Sequence, residues 1–310
     1  MSKYLEESIK SGADYDQIIP INLTPYSELV HKLRNQPESN VISAGNAMFD
    51  DVIGGFERER LYVLSAPTKQ GKTTLAQTMM YHMAKKKIPS LFFSFEMGWQ
   101  EVVGKYLAMD NKTVSEEPTD LPLYMPLELH RGGGELQFQW LYETILKGIE
   151  EHGIQFVVID HLHFLLPLKD FKNTSFIIGG IVREIKRIAV NLKIPIMLIA
   201  HVQKIKDDKV PDWTDIRDSS FITQEADVVM MMYRKKNKEA ARKTQDDSTM
   251  QVYSKVAMLS LELDRVKGQS KKIKLWHNGV MFEEYRGQDK TDAEEIANNI
   301  NAYAPDARQY

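Results

Sequence analysis

Residues 61–74, Leu-Tyr-Val-Leu-Ser-Ala-Pro-Thr-Lys-Gln-Gly-Lys-Thr-Thr, constrain the fold more than any other stretch. The apolar run Leu61–Leu64 feeds a compact loop ending in Gly71, Lys72 and Thr73, and helix-forming sequence follows through Lys86. Strand, loop and helix start in that order are the context a phosphate-binding loop requires. Backbone N–H groups of the loop, joined by the positive end of the new helix, cradle polyphosphate. The cradle runs through Ala66, Pro67, Thr68, Lys69, Gln70, Gly71, Lys72, Thr73 and Thr74, with Ala66 standing where the general pattern has its first glycine. Lys72 reaches the terminal phosphates and the Thr73 hydroxyl holds Mg²⁺. A chance turn carrying Gly-Lys-Thr is the alternative, and the flanking strand and helix argue against it. ATP and Mg²⁺ are the expected ligands.

The rest of the chain is compatible with one large domain and short extensions. At 310 residues and 43% hydrophobic content it can bury a substantial core. A net charge of −3 gives no global attraction to nucleic acid, so such binding would rest on local basic patches. The absence of cysteine excludes disulfides, thiol nucleophiles and Cys-ligated zinc. The apolar runs Ile194–Ala200 and Val228–Tyr233 are too short to span a bilayer, and the amino terminus lacks the apolar core of a signal peptide. No membrane partner and a cytoplasmic location are expected.

Residues 1–44 read as a polar arm with one short amphipathic helix, in which Tyr26, Leu29, Val30 and Leu33 follow Thr24 as cap and Pro25 as first helical residue. Residues 45–286 read as the main domain and 287–310 as a polar tail. Within the main domain, expected strands at Ser90–Phe95, Gln155–Asp160, Ile194–Ala200 and Ala226–Tyr233 alternate with expected helices at Met97–Met109, Glu135–His152 and around Ile177–Leu192. Apolar strands alternating with helices predict an α/β fold whose mainly parallel sheet is covered on both faces. Val252–Leu263, Lys271–Trp276 and Val280–Tyr285 lack intervening helices and carry an Asn278-Gly279 turn, which predicts an antiparallel extension at the carboxyl-terminal edge.

Ligands gather at the carboxyl ends of such strands. The residues that end the apolar runs are the phosphate loop, Glu96, Asp160 and His201. Alone, a glutamate or histidine there is usually a solvated surface group; four such features on one edge divide the labour of phosphate hydrolysis. Thr73 and Asp160 would hold the metal, Glu96 would orient the attacking water, and His201 would donate to the γ-phosphate. A further cation is needed for charge stabilisation. Arg265, at the head of the basic stretch 265–274, is the candidate.

At this point a resemblance becomes specific. Ser65-Ala-Pro-Thr-Lys-Gln-Gly-Lys-Thr-Thr74, Phe93-Ser-Phe-Glu-Met97, Val157-Val-Ile-Asp-His-Leu-His163, Ala200-His201 and Asp215-Ile-Arg-Asp-Ser-Ser-Phe-Ile-Thr-Gln-Glu-Ala-Asp227 occur in order over residues 45–286. The set resembles the RecA-like motor domain of DnaB-family replicative helicases, including the helicase halves of phage primase-helicases. The resemblance implies an ATP-driven ring, a hexamer, that moves on single-stranded DNA, with catalytic residues Glu96, Lys72, His201 and Arg265. It implies a separate primase and a helicase loader as partners. Two departures stand out. Leu263 occupies a position where bacterial members carry a basic residue, and about 40 residues before the motor are too few for the bacterial collar.

The resemblance also places Arg217, Asp218 and Ser220 at positions that contact DNA phosphates. Gln203, Lys204, Lys206, Lys169 and Lys172 are plausible additions, each equally readable as a solvated surface group. The run Arg234-Lys-Lys-Asn-Lys238, with Arg242 and Lys243, reads as a basic solvated loop or a further contact. The helix at Tyr26–Arg34 resembles a linker that clasps a neighbouring subunit, with packing on its own domain as the alternative. Rival functions are a RecA- or RadA-like recombination or branch-migration ATPase, which unwinding assays separate, and an ATP-binding assembly scaffold, which would lack DNA-stimulated hydrolysis.

Overall fold

A computed structural model of the chain describes residues 24–35, 40–130, 135–166, 174–202, 210–216, 219–236, 253–265 and 267–287. They fall into two compact units, residues 1–40 and 41–310. In the first, the described element is helix α1 (Tyr26–Asn35), on which Tyr26 and Leu29 are exposed.

The second unit opens with β1 (Val41–Ile42), α2 (Ala47–Ile53) and β2 (Phe56–Glu57), β1 and β2 forming a small antiparallel pair. There follow β3 (Leu61–Ala66), α3 (Lys72–Lys85), β4 (Ser90–Ser94), α4 (Trp99–Met109), β5 (Leu123–Tyr124), α5 (Glu135–His152), β6 (Phe156–Asp160), α6 (Thr174–Asn191), β7 (Ile196–His201), α7 (Ser219–Glu225) and β8 (Val228–Lys236). Three last strands complete it: β9 (Tyr253–Asp264), β10 (Lys271–His277) and β11 (Phe282–Glu284). All but β1 and β2 join one nine-stranded sheet in the order β11-β10-β9-β8-β3-β7-β6-β4-β5. Strands β3 to β8 run parallel, and β9, β10 and β11 alternate in direction at one edge, as the sequence predicts.

Both faces are dry. Period-two alternation sends Tyr62 and Leu64 into a core shared with Leu75, Met79, Phe92 and Phe156, while Leu61 and Val63 enter a second core with Phe93, Val157, Ile145 and Ile185. Helix α3 therefore lies on one face, and α5 and α6 on the other. Phe282 of the far strand β11 joins the α3 core and its N–H bonds the Thr78 hydroxyl at 3.3 Å, so the antiparallel edge wraps round α3.

Two expectations shift. The strand expected to stop at Tyr233 runs on to Lys236, because long β9 continues to pair with it as far as Lys236 opposite Tyr253. Arg234 is thus no solvated loop residue: it is 6% exposed and its Nε donates to the Ser254 carbonyl at 2.7 Å. The Asn278-Gly279 turn closes a longer loop than a two-residue hairpin, with His277 opposite Phe282. The Asn278 side chain accepts from the Val280 and Met281 N–H groups, both at 2.9 Å.

Candidate nucleotide site

Strand register assembles the site. Ala66 lies opposite His201, and Ser94 opposite Asp160, so β3, β7, β4 and β6 end at one level. The Phe95 N–H bonds the Asp160 carbonyl at 2.7 Å, which sets Glu96 beside the end of β6. The loop after β3 turns through Lys69 (φ 64°) and Gly71 (φ 99°), and α3 begins at Lys72. A Cβ on Gly71 would meet the Phe282 ring at 3.2 Å, so both backbone angle and space call for glycine there.

Lys72 is buried, its Nζ 3.2 Å from the Ala66 carbonyl and 3.5 Å from that of Pro67. Burial lowers its pKa to about 8, against the pull of Asp160 and Glu96. A cation held this way lacks a full counter-charge, which a polyphosphate would bring. The Thr73 hydroxyl donates to Asp160 Oδ2 at 2.6 Å. Burial raises Asp160 to about 6, with the Thr73 bond opposing, Glu96 adding and Lys72 opposing. Its other oxygen, Oδ1, is buried without a hydrogen-bond partner among the described residues. A carboxylate with one orphaned oxygen beside a threonine hydroxyl is a hard-oxygen donor set and fits Mg²⁺.

Glu96 is half-exposed, with Oε2 4.0 Å from His161 Nδ1. The His161 ring meets that of His201 edge-on at 4.1 Å between centroids. Burial, with His163 and Lys72 adding, holds His161 down at about 4, so the ring is neutral near pH 7. The peptide bond joining Asp160 to His161 is cis.

The structure therefore brings together Lys72, Thr73, Asp160, Glu96 and His201. It leaves Arg265 apart. Antiparallel β9 carries Arg265 to the amino end of the parallel strands, where its N–H bonds the Asp227 carbonyl at 3.0 Å and its guanidinium the Thr223 carbonyl at 2.5 Å. The phosphate loop leaves from the opposite end of β3, ~17 Å along the strand at about 3.3 Å per residue. Arg217, Asp218, Gln203, Lys204, Lys206, Lys169, Lys172, Arg242 and Lys243 lie outside the described residues, as does the side chain of Ser220. Sequence reasoning missed the loop's supports: the Gln70 side-chain oxygen accepts the Arg234 N–H at 2.7 Å, and the Tyr253 hydroxyl donates to the Thr68 carbonyl at 3.4 Å. No local motif marks these residues, because β8 and β9 deliver them from far along the chain.

Fold and site together define an α/β domain with a phosphate-binding loop at the strand ends of a mainly parallel sheet. The AAA domain family model matches residues 32–207, more than half the chain, and the chain belongs to that family. The model of the DnaB-like helicase C terminal domain matches residues 133–283. Relatives include the replicative DNA helicase DnaB of Treponema pallidum (strain Nichols), 28% identical over 222 residues, covering 66% of this chain and 51% of that protein. The replicative DNA helicase DnaC of Bacillus subtilis (strain 168) is 25% identical over 245 residues, covering 73% and 54%. The chain thus spans about half the length of these relatives. Among solved structures, a DnaB-like replicative helicase studied with its primase interactions superposes with a TM-score of 0.65 at 17% identity, covering 92% of this chain and 72% of that one. A second solved structure, of an ATPase domain, gives a TM-score of 0.64 at 17% identity, covering 86% of this chain and 100% of that one.

Proposed function

We propose that this chain is the motor of an ATP-dependent replicative DNA helicase. The observation that carries the reading is the 2.6 Å bond between Thr73 Oγ1 and Asp160 Oδ2, which joins the phosphate loop to the strand-end carboxylate beside buried Lys72. Ala66 to Thr74 cradle the ATP phosphates, Lys72 compensates the charge of the terminal ones, and Thr73 and Asp160 hold Mg²⁺, which would neutralise charge developing on the phosphoryl oxygens. Glu96 orients and polarises water, and His201 donates to the γ-phosphate. The relatives are named as helicases, which favours this reading over a recombinase or a scaffold.

The site needs a further cation. Arg265, at the other end of the sheet in its own chain, is assigned to a neighbour's site, so the working form is a homo-oligomeric ring, a hexamer. Single-stranded DNA passes through it, with Gln203, Lys204, Arg217, Asp218 and Ser220 as its contacts. A separate primase and a loader are the partners, in the cytoplasm. Among the described residues no helix is long and apolar enough to cross a membrane. The test is unwinding of forked DNA bearing a 5′ or a 3′ tail, with ATP and Mg²⁺. Unwinding of one of the two forks, lost in Lys72→Ala, is the expected result; absence of both unwinding and DNA-stimulated hydrolysis would overturn the proposal.

A further inference from the structure

Beside the hard-oxygen pair of Thr73 and Asp160, the same strand ends carry donors of a different kind. Glu96, His161 and His201 each offer one ligand atom, and the three atoms lie within 4.8 Å of one another. We infer that Glu96, His161 and His201 form a second cation site that takes a borderline transition ion of the Zn²⁺ class and, when filled, arrests ATP turnover.

Three features support this. The donor chemistry is two imidazoles and one carboxylate, a set that suits Zn²⁺, Co²⁺ or Ni²⁺ and not Mg²⁺, which demands oxygen. The spacing is close to what the ion requires: metal–ligand bonds of about 2.0–2.2 Å place tetrahedral ligand atoms ~3.4 Å apart. His161 Nδ1 and Glu96 Oε2 are 4.0 Å apart already, and the 50% exposed Glu96 side chain can swing inward. Finally, His161 Nδ1 is buried without a hydrogen-bond partner among the described residues, so it need break no bond to coordinate. Three protein ligands leave a fourth position for water, and the exposed carboxylate gives a route in from solvent.

The inhibitory consequence rests on the function proposed above, in which Glu96 orients water and His201 addresses the γ-phosphate. An ion bound by both withdraws them from that work. Binding itself does not depend on that reading, and the experiment separates the two. Without nucleotide, Co²⁺ is titrated into the protein while visible absorption is recorded, and Zn²⁺ is then added to displace it. The expected result is one equivalent of Co²⁺ with the intense bands of a four-coordinate site, bleached by Zn²⁺. His161→Asn and, as a second variant preserving shape, Glu96→Gln should each weaken binding more than ~100-fold, since even a residue that merely orients a metal ligand is worth about 10–100-fold. In parallel, micromolar Zn²⁺ should inhibit Mg²⁺-ATP hydrolysis by the wild type but not by His161→Asn, whose turnover in a chelator stays within a few-fold of wild type. A wild type without the Co²⁺ bands, or bands unchanged in both folded variants, overturns the site. Normal Co²⁺ binding by a protein without ATPase activity leaves the site standing and overturns the proposed function instead.

Discussion

At the residue scale, the site separates charge from shape. Glu96→Gln keeps the side chain's volume and removes the charge that, under the proposed function, polarises water, so turnover should fall by on the order of 10²–10⁴. Nucleotide affinity, read with a fluorescent analogue, should be nearly unchanged; its loss would make Glu96 structural. Lys72→Ala removes the buried cation over the loop and should abolish hydrolysis, which a phosphate-release assay reads directly. His277 gives a pH prediction away from the site. It is buried against the Phe282 ring, and burial, with Arg234 and Lys255 adding, holds its pKa at about 4. Because the folded value is depressed below the unfolded one of about 6.5, the unfolded chain binds the extra proton first. Stability from keeping this ring neutral is present above about pH 6.5 and lost as pH falls towards 4. Over that window His277→Gln should flatten the acid limb of the unfolding free energy against pH, read by urea denaturation, by an amount of order 3 kcal/mol; an identical limb in the variant would contradict the assignment.

At the scale of elements, two glycines of similar backbone angle should behave differently. Gly45 (φ 82°) precedes α2, in a segment tied down by bonds from the Ser43 hydroxyl and the Ala44 N–H to Asp50, both 2.6 Å. A Cβ there would lie 2.3 Å from the backbone of His82 and Met83 in α3. Gly153 (φ 63°), after α5, has nothing within 4 Å of such a carbon. Gly45→Ala should cost about 3 kcal/mol or more and Gly153→Ala about 1 kcal/mol. Melting temperatures should fall by roughly 6–12 °C and 2–4 °C respectively; equal losses would show that α2 does not dock as described. These elements also show how far local sequence reaches. The phosphate loop, Glu96, Asp160 and His201 were legible because each closes an apolar run and the parallel sheet aligns such ends. Phe282, Tyr253 and Gln70's bond to Arg234 were not, since they meet only after the antiparallel edge has wrapped α3. Arg234 was misread for the same reason: a cation in a basic run is solvated until a partner strand covers it. Asp227, which ends the motif that carries Arg217, Asp218 and Ser220, has a structural task of its own: its carboxylate accepts from the Leu61 N–H at 2.7 Å and from Lys186 Nζ at 2.6 Å, tying β3, α6 and the start of β8 together.

At the scale of the whole molecule, the direction of β9 decides what one chain can do. Arg265 cannot serve the phosphate loop of its own sheet, so under the proposed function its effect passes between subunits. Lys72→Ala and Arg265→Ala chains should each be inactive, yet their mixture should recover part of the ATPase rate, because some junctions pair an intact loop with an intact arginine. No recovery in verified mixed assemblies would remove Arg265 from catalysis. The same antiparallel strand has an arithmetic consequence for topology. Under the proposed function, with one half-site at each end of the sheet, n chains closed in a circle would complete n junctions, whereas a circle broken at one seam would complete n − 1. Opening to admit a strand without free ends would then always silence one engine, and sealing would restart it.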